Sequence, residues 1–101
     1  MDRPCTLTMW KVQPDQQQAF QDTISRLESV LLRLPEPPGA LMLLQSVDDP
    51  TVFHTIGWFH NQGDLDAMRE HTHARQLLED LVKLSSEFRP TAHLVLRTDG
   101  D

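Results

Sequence analysis

The chain has 101 residues, enough for one compact domain, and at this size self-association is a useful source of extra burial. Hydrophobic residues make up 39% and charged residues 24%, with the apolar ones gathered into periodic runs, which excludes a disordered composition. A net charge of -6, with nine Lys and Arg and no basic stripe, opposes a nucleic-acid backbone; no apolar run is long enough for a membrane span or reads as a signal peptide, so a cytoplasmic protein is expected. The single cysteine, Cys5, leaves no intramolecular disulfide and no cysteine zinc site, and reads as a small buried hydrophobe.

Residues Cys5 to Val12 (CTLTMWKV) are rich in Thr, aromatic and apolar side chains and predict a first strand. Pro14 suits the first position of a helix and Asp15 its first turn, and Phe20, Ile24, Leu27, Leu31 and Leu34 then recur at spacings of four, three, four and three. That spacing predicts a long amphipathic helix, stopped by Pro35-Glu36-Pro37-Pro38-Gly39 because prolines lack the amide proton a helix needs. Ala40 to Gln45 and Val52 to His60 flank the turn-forming Asp48-Asp49-Pro50 and read as a hairpin. Leu65, Met68, Leu77, Leu78, Leu81, Val82 and Leu84 predict two short helices or one kinked helix, with Thr72 as the cap of the second. Thr91 to Arg97 completes the set as a final strand, and Thr98 to Asp101 is expected to fray.

The order strand, helix, strand, strand, helix, strand is the split βαβ arrangement of a ferredoxin-like α+β domain: a four-stranded antiparallel sheet with its helices on one face. Strand parity sets Leu7 and Met9 against Trp10 and Val12, and Phe53 and Phe59 against Ile56 and Trp58, so neither sheet face is polar. A bare apolar face of that extent calls for a cover, most economically a second copy, which predicts a homodimer.

The Pro-Gly turn into the second strand, Asp49-Pro50 before a strand ending in Trp58, and Leu65-Asp66-Ala67 leading to Thr72-His73 and a Leu-rich helix resemble the antibiotic biosynthesis monooxygenase family of dimeric α/β barrels, over about residues 5 to 97 of a single domain. The resemblance implies a cavity between sheet and helices and, in members of this type, oxygenation of electron-rich polyphenols or quinols without metal or flavin. It also implies a Glu two residues before the third-strand Trp and a His on the following helix, where this chain has Ile56 and Met68. The haem-degrading branch would need an Asn, a Trp and a His at the places of Thr8, Met68 and Leu78, so that branch is disfavoured.

Oxygenation without a cofactor needs a base to remove a phenolic proton and an apolar pocket to hold a flat substrate away from water, and His is the obvious base near neutral pH. His54 shares a parity with Ile56, Trp58 and His60, which would let His54 and Trp58 border one cavity with Met68; a lone strand His is more often a packed or edge residue than a catalyst. His73 matches the family's helix-start His and would sit at the cavity mouth, or be no more than a first-turn residue beside its cap. His71 stands two residues away, and no carboxylate or Cys completes a metal-ligand spacing, so no metal is expected. Trp10 and Trp58 are each core, dimer contact or ligand platform. The candidate site is thus His73 and His54 as catalytic groups with Trp58, Met68, Ile56, Trp10 and His71 around the substrate. The expected function is cofactor-independent monooxygenation of a small aromatic or quinone-type compound. A dimeric ligand-binding or stress-related protein that keeps the barrel without the chemistry is the alternative, motivated by Ile56 and Met68.

Overall fold

The structure, a computed structural model, describes residues 2–99. The elements run β1 (Arg3–Val12), α1 (Gln17–Leu31), β2 (Ala40–Gln45), β3 (Val52–Trp58), α2 (Gln62–Glu70), α3 (Thr72–Lys83) and β4 (Ser85–Val95). The sheet order is β2-β3-β1-β4 with every neighbouring pair antiparallel, the ferredoxin-like topology. Among the described residues no helix is long and apolar enough to cross a membrane.

Helix α1 forms where the apolar spacing places it, and Phe20, Ile24, Leu27 and Leu31 are all buried. Its start corrects the expectation at Pro14 and Asp15. Asp15 adopts φ 66°, a left-handed conformation that Asp tolerates in turns, so the chain bends there and the helix begins two residues later. The second helical region is two helices, and the cap between them is His71 rather than Thr72: His71 is extended, at φ -67° and ψ 119°, and its Nδ1 accepts from the Ala74 N–H at 3.3 Å. Strand β4 starts at Ser85, six residues before the expected Thr91. Pro90 lies within it, opposite Thr8, and is tolerated because β4 is an edge strand where a missing N–H removes no ladder bond. The expected fraying of the tail concerns Gly100 and Asp101 in part, and these lie outside the described residues.

Register decides the faces. Cys5 pairs with Trp58, Leu7 with Ile56 and Met9 with His54, whereas Thr6 pairs with Gly57, Thr8 with Thr55 and Trp10 with Phe53. The second set faces the helices. Phe53 is 1% exposed and stacks against Phe20 at 4.9 Å, and Trp10, also buried, meets Phe20 edge-on at 5.5 Å and Phe88 at 4.7 Å. Phe59, Leu65, Met68, Leu77 and Leu81 complete this core. Cys5, Leu7, Met9, His54, Ile56, Trp58, Met42 and Leu44 occupy the outer face, where Met42 is 55% exposed. The expected grouping of His54 and Trp58 with Met68 is therefore not formed: strand alternation puts the first two on the opposite side of the sheet from the helix that carries the third.

Candidate functional site

Between the sheet and the helices lies a cavity of about 370 Å³, within the range of small-molecule sites. Its floor is the helix-facing row of the sheet: Thr6, Thr8 and Trp10 from β1, Thr55 and Gly57 from β3, and Pro90 and Ala92 from β4. Its walls are Ile24, Leu27 and Leu31 of α1, Met68 of α2, and Leu78 and Leu81 of α3, with Phe59 and Phe88 closing the sides. Gly57 contributes by what it lacks. A Cβ there would come within 3.1 Å of Leu41 Cδ2, so any side chain would begin to fill the space above the sheet.

The floor carries the polar groups. Trp10 Nε1 donates to Thr55 Oγ1 at 2.9 Å, which fixes the indole plane and turns Thr55 toward the middle of the sheet. Thr6 Oγ1 reaches the Gly57 carbonyl at 3.4 Å, a long bond. Only two ionisable side chains line the cavity among the described residues, Glu28 of α1 and Arg69 of α2, and neither takes part in an ion pair there. Glu28 follows Leu27 and precedes Leu31 by three, so it borders the apolar stripe of α1 rather than its solvated back.

The sequence-predicted residues divide. Trp10 and Met68 line the cavity with their side chains, and Ile56 borders it along its strand. His54 and Trp58 do not touch it. Trp58 lies instead over Gly39, whose notional Cβ would fall 2.1 Å from the indole, with the Arg3 guanidinium 5.2 Å from the ring centre and His60 edge-on to it. His71 and His73 line a separate groove with Ser25, Arg26, Ser29 and Arg33, between α1 and the start of α3. No histidine lines the cavity among the described residues. The threonine floor, Glu28 and Arg69 were not singled out in the sequence. Thr6, Thr8 and Trp10 do share one strand parity, and Glu28 is the one charged residue flush with the α1 stripe, so a signal was present. No cluster of three or more His, Cys, Asp or Glu that could hold a metal occurs among the described residues.

Comparison with known proteins bears on the fold. No protein-family model matches the sequence, and no curated protein matches it significantly. Solved structures do match. A protein assigned as an antibiotic biosynthesis monooxygenase from Nitrosomonas europaea aligns over 97% of this chain and 94% of its own, at 22% identity and a TM-score of 0.85. SnoaB, a cofactor-independent oxygenase from Streptomyces nogalater, aligns over 97% of both chains at 14% identity and a TM-score of 0.85. A conserved protein from Methanosarcina mazei aligns over 92% of both at 16% identity and a TM-score of 0.84. The chain has the fold of these proteins over nearly its whole length, and the resemblance read from its residues holds at that level.

Proposed function

We propose that this chain is a cofactor-independent monooxygenase that takes a small, flat aromatic or quinone-type compound into the cavity between sheet and helices. The observation that carries this reading is the cavity itself: apolar walls, a hydroxyl-bearing floor, and one carboxylate and one guanidinium as its only ionisable groups among the described residues. The fold it shares with SnoaB, a protein described as a cofactor-independent oxygenase, supports the same chemistry. A phenol of this kind reacts with dioxygen to give a quinone and water, a balanced exchange in which removal of the phenolic proton lets the anion pass an electron to oxygen. With the histidines elsewhere, Glu28 is the base, and Arg69 is the countercharge to the oxyanion.

Oxygen uptake with a panel of naphthols, catechols and quinols tests this. Glu28→Gln should lower kcat by about 100-fold or more, the usual scale for losing a general base, with KM little changed. Turnover undiminished in that variant would remove Glu28 from the chemistry. A second reading, a ligand-binding protein without turnover, is motivated by Ile56 and Met68 standing where the resemblance implies a Glu and a His. Saturable binding by the wild-type protein without oxygen uptake would establish it.

The outer sheet face, with Met42, Leu44, Ile56, Trp58, Leu7 and Met9, is the surface on which a second copy of the chain would pack.

A further inference from the structure

We infer that Thr8 and Thr55 together form an acceptor-binding element in the cavity floor, one that takes the carbonyl oxygen of a flat ring ketone or quinone, with Trp10 as the positioning residue behind it. The inference rests on the cavity being the ligand site, as proposed above. The register sets Thr8 directly opposite Thr55 on neighbouring strands, with both side chains on the helix-facing side. Directly opposed residues of an antiparallel pair lie close enough for one small group to meet both side chains.

Their hydrogen-bonding capacity is unspent. Thr8 is 7% exposed, and its hydroxyl has no partner among the described residues. Every fully shielded side-chain nitrogen or oxygen among those residues does have one, so the Thr8 oxygen is open to the cavity. Thr55 Oγ1 accepts the Trp10 Nε1 proton at 2.9 Å, but its own O–H has no acceptor among the described residues. A hydroxyl carries one donor besides its acceptor sites, so two O–H donors remain over the floor. The other buried threonine of the core differs: Thr23 spends its donor on the Ala19 carbonyl at 2.8 Å.

The chemistry of the occupant follows from what surrounds these donors. Two neutral O–H groups, with no cation on the floor, match a neutral acceptor bearing two lone pairs, and a ring carbonyl is such a group. Accepting the indole proton polarises Thr55 and makes it the better donor. At position 8 a valine would fill nearly the same volume without leaving a donor unspent, whereas at position 55 it would also remove the acceptor of the Trp10 indole, so the Thr8 hydroxyl is the one that a ligand completes. Glu28 and Arg69 come from the helices, so a ligand would present its carbonyl to the sheet and its ionisable hydroxyl to the helical side.

Binding of 1,4-naphthoquinone and of naphthalene, which has no acceptor, separates this role from packing. Thr8→Val with Thr55→Val should weaken naphthoquinone binding by about tenfold while leaving naphthalene as tight or tighter. The infrared carbonyl stretch of bound naphthoquinone should lie below its value in an apolar solvent, rise in the double variant, and rise partly in Trp10→Phe. Thr8→Ser, which keeps the hydroxyl, should behave as wild type and guards against a folding defect. An unshifted carbonyl in the wild-type complex, equal losses for both ligands, or no naphthoquinone binding overturns the inference. A shifted carbonyl without oxygen uptake from any phenol would sink the oxygenase reading and leave the acceptor site standing; oxygen uptake with an unshifted carbonyl does the reverse.

Discussion

Phe53 and His54 are adjacent in the chain and face opposite sides of the sheet, and the location of the site turns on which of them points inward. Phe53 is buried against Phe20, so Phe53→Ala should cost about 3–5 kcal/mol in chemical denaturation, whereas His54→Ala on the outer face should leave monomer stability nearly unchanged. Parity alone could not choose, because Leu7, Met9, Ile56 and Trp58 are as apolar as the set containing Trp10 and Phe53. Burial of Phe53 and Trp10 settles it, and Lys11, which shares the Leu7 and Met9 parity, pairs with Asp49 at 2.6 Å on the outer rim. That pair also carries a pH signature. The Lys11 ammonium, then the Thr51 hydroxyl and N–H, hold the Asp49 carboxyl down to about 2. A folded-state value lowered in this way adds stability above the ordinary carboxylate range and loses it as pH falls toward 2. Asp49→Asn should therefore lower the melting temperature slightly at pH 7 and by less near pH 2; an equal loss at both would show that the carboxylate's charge is not the cause.

At the scale of elements, the helices and the first three strands were legible because their apolar spacing matches the period of the structure they form. Phe20, Ile24, Leu27 and Leu31 show this for α1. The first half of β4 was not legible: Ser85-Ser86-Glu87-Phe88-Arg89-Pro90 holds one large apolar residue and a proline, and it is a strand only because β1 offers it a ladder. The α2–α3 break was visible as a polar interruption, but the capping side chain was not, since His is an uncommon cap and Thr72 a common one. The His71 ring holds the start of α3 through its bond to Ala74. His71→Ala should destabilise the protein by about 1 kcal/mol, and His71→Asn, a better cap, should restore it; urea titration of the three proteins checks both. A Thr72→Ala variant should lose less than His71→Ala, because Thr72 is already inside the helix.

For the whole molecule, two apolar sheet faces require two covers, and the helices supply only one. Met42, Ile56 and Leu7 form a row across β2, β3 and β1 on the uncovered side. If a second copy packs on this face as proposed above, Met42→Asp should turn that dimer into a folded monomer in sedimentation, since a charge on an exposed position costs little in the monomer and much between two sheets. The same two-sidedness gives a direct test of where ligand binds. The chain has two tryptophans, Trp10 facing the cavity and Trp58 on the outer face, so an amide correlation spectrum carries two indole N–H signals. Titrating 1-naphthol into nitrogen-15-labelled protein, with Trp10→Phe and Trp58→Phe to assign the two signals, should shift the Trp10 indole and leave the Trp58 indole in place. Movement of the Trp58 signal with Trp10 unmoved would put the ligand on the outer face and contradict the helix-side cavity as the functional site.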